Sequence, residues 1–284
     1  MNIKKEFKFF GLIIFIIFAF ALLFFLINLV TFILFECKGF TNYINKFKYE
    51  SNIKKIIPEL QTGDIILFGD KLDKNKKLSK LNCFIKSRTN FVPGTNLFNH
   101  IGLIYRKNNH VFLIESIFKE DSCKKKINYL NKNYVDGIRI VSFEKVIDEY
   151  IKNGKTNDDC KSIYGVRFLN RKFNKNEINR RFENEFNIIN GSRFNEWNTI
   201  SKIAVPGWFI YDTPRSLYYG LELYLPNDNN DTYFCSEIIA LLLQRIGLMK
   251  RTYRSRMFYP ADFNGYRDSE MFNKNTYSKI KMYY

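Results

Sequence analysis

Three side chains, far apart along the chain, supply the parts of a thiol-based catalyst. They are Cys235 in Tyr233-Phe234-Cys235-Ser236-Glu237, His100 in Phe98-Asn99-His100-Ile101-Gly102, and Glu115 in Leu113-Ile114-Glu115-Ser116. A thiolate is the reactive form of cysteine, an imidazole can take its proton, and a carboxylate can fix the imidazole's orientation; together these are the roles that cleave or transfer an acyl group. Each residue alone has an ordinary structural reading: a small buried thiol, a strand histidine, an exposed strand carboxylate. Only the combination points to chemistry. Tyr233 and Ser236, which flank the cysteine, are candidates for holding an oxyanion or a substrate, beside the backbone N–H groups that open the following helix.

The elements that must position these residues can be read from periodicity. Ile238, Ile239, Leu242 and Ile246 fall on one helical face and Gly247 stands where a helix commonly ends, so Cys235 opens a short buried helix. The positive end of the helix dipole favours thiolate over thiol there. Two apolar, partly β-branched runs around Asn108-Asn109 predict a hairpin, and a two-residue turn pairs Lys107 with His110. That register sets His100 opposite Ile117, with Glu115 diagonally beside it on the same face, about 7–8 Å away between Cα atoms. The other face carries Ile101, Leu103, Tyr105, Phe112 and Ile114, an apolar set suited to a core. His110 falls at the turn and receives no chemical role.

Other stretches organise the remainder. Ile65 to Gly69 reads as a strand after a turn at Gly63-Asp64, where Asp64 is a turn cap rather than a catalytic acid. Ile138 to Phe143 reads as a further strand and Phe143 to Ile151 as a helix; Leu81 to Arg88 reads as a short element near the site, and Val92 to Asn96 as the loop delivering His100. Ile178, Phe182, Phe186 and Ile189 mark an amphipathic helix with a core-facing stripe. Gly154-Lys155-Thr156 is not a phosphate-binding loop, because Glu149 stands where the first glycine of that motif belongs. The aromatic-rich residues 191–231 are expected to form a wall or lid.

The 24 residues from Leu12 to Phe35 carry no charge, which predicts a single transmembrane helix, since about 20 apolar residues cross a hydrocarbon core. Lysines lie on both sides of that segment, so the positive-inside rule assigns no orientation. Of 45 basic and 28 acidic residues, all but Lys4, Lys5, Lys8 and Glu6 follow the segment. Such a basic domain suits an anionic bilayer surface as partner; the basic residues are scattered and form no recognisable nucleic-acid motif, which makes nucleic acid an unlikely partner. Five cysteines without a C-x-x-C pair and only two histidines imply no metal, no cofactor and no disulfide framework. A reducing compartment best preserves a thiolate, and a glycan on Asn230 would crowd Cys235, so the domain is expected to be membrane-tethered and to face the cytosol.

Five motifs in order carry a family likeness: Leu60-Gln61-Thr62-Gly63-Asp64-Ile65, Asn99-His100-Ile101-Gly102-Leu103-Ile104, Glu115, Phe234-Cys235-Ser236-Glu237, and Tyr259-Pro260-Ala261-Asp262-Phe263. In that order, histidine before cysteine, the chain resembles the circularly permuted papain-like proteins of the NlpC superfamily, above all the YiiX/YaeF-like group, which includes poxvirus members. The resemblance implies Cys235 as nucleophile, His100 as base and Glu115 as the residue orienting it. It also implies an α+β fold with a small antiparallel barrel-like sheet packed on the cysteine helix. Its relatives are similar to cell-wall peptide amidases and to lipid-directed thiol acyltransferases. The expected organisation is a transmembrane anchor at 1–36, a linker at 37–55, the papain-like domain at 56–265 with an insertion at about 152–231, and a basic tail at 266–284. The expected function is a membrane-anchored cysteine hydrolase or acyltransferase acting on an amide or ester bond of a lipid or peptide through a thioester. The alternatives are an inactive membrane scaffold of the same fold and a basic nucleic-acid-associated module. The oligomeric state is not readable from the sequence.

Overall fold

A computed structural model of the chain describes residues 50–70, 98–117, 137–156, 162–189, 193–194, 232–255, 258–265 and 268–284, together with Phe15, Ile16, Ala19, Leu22, Leu23 and Leu26. Apolar, β-branched runs dictate its centre, a six-stranded antiparallel sheet in the order β4-β3-β2-β1-β5-β8. Its strands are β1 (Ile65–Asp70), β2 (Phe98–Lys107), β3 (His110–Ile117), β4 (Gly137–Ser142), β5 (Ser162–Arg167) and β8 (Lys281–Tyr283). A small parallel pair, β6 (Arg193–Phe194) with β7 (Thr232–Tyr233), forms a second sheet that lies against β3 and β4. The helices are α1 (Phe143–Thr156), α2 (Lys175–Ile189), α3 (Cys235–Arg245) and α4 (Asp268–Met271).

The hairpin of β2 and β3 takes the register its turn length dictates: Lys107 pairs with His110, Tyr105 with Phe112, and Leu103 with Ile114. Asn108 adopts a positive φ of 54°, a conformation asparagine tolerates better than most residues. Both faces of the sheet are buried. Ile65, Leu67, Ile101, Leu103, Tyr105, Phe112 and Ile114 pack on one side with α2 and α3. Ile66, Phe68, Ile104, Leu113 and Val141 pack on the other with α1 and the 3₁₀ turn Ile53–Glu59. Two covered faces explain why β1 reads as an unbroken apolar run instead of an alternating one.

The last residues, expected as a basic tail, supply the edge strand β8, which pairs Tyr283 with Tyr164 and Met282 with Gly165. Arg167, fully buried on β5, holds this C-terminal segment in place: its guanidinium donates to both carboxylate oxygens of Asp268 at 2.7 and 2.5 Å and to the carbonyl of Ser278 at 3.0 Å. The architecture is α+β, as the sequence implies. Among the described residues the sheet ends in two unjoined edges, β4 and β8, and is an open sheet where a barrel-like one was expected.

The expected membrane-spanning helix is corrected. Among the described residues no helix is long and apolar enough to cross a membrane. Of Leu12 to Phe35 only Phe15, Ile16, Ala19, Leu22, Leu23 and Leu26 are described, as helical and exposed. The rest of that segment lies outside the described residues. The membrane location inferred from it is corrected with it.

Candidate functional site

Strand alternation brings His100 and Glu115 together. The first falls two residues from Phe98, at an irregularity where Gly69 pairs with Phe98 and Phe68 with His100, and its ring lies 5.5 Å from that of Phe68. Gly102, two residues on, lets the hairpin close tightly: a Cβ there would stand 2.4 Å from a methyl group of Leu113. Glu115 projects from β3 on the same face, and its Oε2 lies 2.6 Å from His100 Nε2.

A carboxylate with no solvent exposure is costly unless its charge is met. Arg139 meets it. The residue is paired with Glu115 across β3 and β4, and its Nε and Nη2 donate to Oε1 at 2.9 and 2.6 Å. The two oxygens of one carboxylate are thereby divided between a guanidinium and an imidazole. With Glu115 ionised, Nε2 of His100 is the donor, and the lone pair of the neutral ring sits on Nδ1.

Cys235 is the first residue of α3 and is 3 % exposed. Phe234 before it is extended, and its N–H donates to Glu237 Oε2 at 3.2 Å, the acidic half of a capping box. The Ser116 hydroxyl donates to the carbonyl of Tyr233 at 2.8 Å, tying the chain two residues before the cysteine to the strand position next to Glu115. The thiol and the imidazole therefore belong to the same end of the sheet. They do not share a packing environment, however: Cys235 belongs to the cluster that holds Ile101 and Ile114, while the His100 ring lies against Phe68, which belongs to the cluster on the other face of the sheet. Of the three expected catalytic side chains, the described contacts join His100 and Glu115 directly. Ser236, a candidate for binding an oxyanion or substrate, has its buried hydroxyl committed to the carbonyl of Phe258 at 2.5 Å, so its side chain links α3 to the following segment. Tyr233 contributes its carbonyl to the Ser116 bond.

No protein-family model matches the chain. It is similar to the uncharacterized protein R372 of Acanthamoeba polyphaga mimivirus, with 25 % identity over 221 residues, 75 % of this chain and 79 % of the viral protein. The likeness is to a viral protein.

Elsewhere, candidate chemistry resolves into structure. Asp64 is fully buried and accepts from the N–H groups of Gln61 at 2.9 Å and Leu169 at 2.8 Å, closing the turn before β1 onto the segment after β5. Burial pushes its carboxyl above the usual range, opposed by those N–H groups and by Arg171. Gly63 takes a φ of 94° beside it, and its carbonyl accepts the Tyr277 hydroxyl at 2.9 Å. An apolar groove of about 250 Å³, lined by Tyr105, Phe112, Ile140, Phe182 and Phe186, lies at the hairpin-turn end of the sheet, away from His100. No cluster of metal-ligating side chains occurs among the described residues. Leu81 to Arg88, the loop at Val92 to Asn96 and all of the expected lid except β6 lie outside the described residues.

Arg139 is the residue the sequence reading missed. In Ile138-Arg139-Ile140 it looks like a strand arginine facing water; the only signal was a basic residue alternating with core positions in a strand that could pair beside Glu115.

Proposed function

We propose that this chain is a cysteine-dependent hydrolase or acyltransferase acting on an amide or ester carbonyl, with Cys235 as nucleophile, His100 as general base and acid, and Glu115 as the residue that orients His100. The observation that carries the reading is the 2.6 Å bond between His100 Nε2 and a fully buried Glu115. A carboxylate is costly to bury, and here it is spent on presenting Nδ1 of one imidazole. Cys235 stands in the first turn of α3, beside the backbone N–H groups that open the helix.

In the proposed reaction Nδ1 takes the Cys235 proton and the thiolate attacks the carbonyl carbon. The tetrahedral oxyanion is met by amides of the first turn of α3. Collapse breaks the carbonyl's bond to the leaving nitrogen or oxygen, which takes the proton from imidazolium, and leaves a thioester on Cys235. Water or an acceptor hydroxyl then gives its proton to His100 and attacks the thioester, which releases the acyl group and regenerates the thiol. The reaction requires Sγ of Cys235 and Nδ1 of His100 to meet at the sheet end that carries both.

The burial of Cys235 and its packing in the cluster across the sheet from Phe68, the neighbour of His100, favour a second reading, a scaffold of this fold that performs no turnover. A thiol-directed acyl electrophile separates the two. Catalysis is expected to give labelling at Cys235 that drops at least about tenfold in His100→Ala and is absent in Cys235→Ala, followed by mass spectrometry of the intact chain. No labelling of the reduced wild-type protein, or equal labelling in His100→Ala, sinks the enzymatic reading and leaves the scaffold.

A further inference from the structure

Nothing in the proposed chemistry calls for Arg139, yet it is as deeply buried as the carboxylate it binds, with 1 % exposure. Three groups, a guanidinium, a carboxylate and an imidazole, lie in a row across β4, β3 and β2. Consider the row without its first member. A buried carboxylate next to an imidazole then finds its countercharge by binding a proton within the pair, which leaves a neutral ion pair and an imidazole that has ceased to be a base. With the guanidinium in place the carboxylate is already neutralised, and an extra proton on the imidazole would give the buried row a net positive charge.

We propose that Arg139 is a positioning residue for His100: it cancels the charge of Glu115, so that the carboxylate can hold the ring by a hydrogen bond without locking it as imidazolium. The proton on His100 then answers to the group presented to Nδ1 instead of to Glu115. The inference deepens the reading of His100 as base and rests on it, but it makes a claim about charge that is measurable with no substrate. Other titratable groups lie on the elements packed at this end of the sheet. Tyr164 on β5 and Tyr150 on α1 pack behind Phe68, Tyr233 ends β7, and Cys235 and Glu237 stand in the first turn of α3.

The chain contains two histidines, which makes the test direct. The imidazole Cε1–H resonances of the full-length protein are titrated by NMR, with His110, exposed at the hairpin turn, as the reference in the same spectra. In Arg139→Met the His100–Glu115 pair is expected to take up its proton at a pH higher by about one unit or more. Arg139→Lys keeps the charge and is expected to restore the wild-type midpoint, which a purely steric role would not do. Glu115→Gln leaves the guanidinium uncompensated, and the midpoint is expected to fall by about one unit or more. An unchanged midpoint in folded Arg139→Met overturns the proposal.

If Arg139→Met does not fold, the charge is read in the neutral background instead. Glu115→Gln with Arg139→Met is expected to titrate above Glu115→Gln alone, and equal midpoints overturn the proposal. Repeating the series in Cys235→Ala separates this inference from the enzymatic one. The shift caused by Arg139 persists there even if the thiol proves unreactive, whereas failed electrophile labelling sinks the enzyme and leaves the charge relation standing.

Discussion

Glu115 and Asp64 are both fully buried acids on the central sheet or at its entrance, and their partners show how differently a carboxylate can be used. Glu115 divides its oxygens between a guanidinium and an imidazole, a pattern suited to orienting a base. Asp64 spends its oxygens on two backbone N–H groups and the edge of Arg171, a pattern suited to closing a turn. Because burial raises the Asp64 carboxyl above its ordinary 3.8, the folded chain holds that proton more tightly than the unfolded one. Its contribution is therefore fully present below 3.8 and is lost as pH rises through the raised folded value. Urea unfolding from pH 3 upward is expected to show this loss in the wild-type protein and not in Asp64→Asn. That variant lacks one acceptor and is expected to be less stable by about 1–3 kcal/mol, the cost of stranding a buried N–H. Parallel pH profiles for the two proteins would show that Asp64 does not titrate as its burial implies.

The hairpin of β2 and β3 is the element that turns two sequence-distant residues into a pair, and its register depends on a two-residue turn. Asn108 carries the positive φ of that turn. Asn108→Ala is expected to cost about 1 kcal/mol and Asn108→Gly to cost nothing or to stabilise slightly, in thermal or denaturant unfolding. Equal losses in both variants would mean that the asparagine side chain, and not the backbone angle, matters. This register was legible because loop length and side-chain alternation jointly determine it. The helices α2 and α3 were legible for a similar reason: Phe182 and Phe186, or Ile238 and Leu242, recur at the period of a helix with one buried face. What alternation did not show is that the face bearing His100 is also a core face, covered by α1 and the turn at Ile53–Glu59. A strand gives the same alternating signal whether its second face meets water or another layer.

Across the whole molecule, the two ends of the described fold close on each other. Glu50 N–H donates to the carbonyl of Met282 at 2.9 Å and Ile53 N–H to that of Tyr284 at 2.9 Å, while β8 completes the edge of the sheet on β5. Deleting residues 281–284 removes the buried side chains of Met282 and Tyr283 and uncovers β5. The expected loss is about 3–6 kcal/mol, from about 1.5–3 kcal/mol for each buried side chain, and it is read as a lower denaturation midpoint. A midpoint within error of wild type would make β8 dispensable, as a tail would be. By itself the sequence determined the α+β class, the hairpin pairing that brings His100 to Glu115 and the helix that Cys235 opens, because these follow from residue type and short-range period. Only the tertiary structure decided that Arg139 neutralises Glu115, that Ser236 is bound to Phe258 and that the last residues form an edge strand. Each of those depends on which segments lie side by side, and a local pattern carries no record of its neighbours across the sheet.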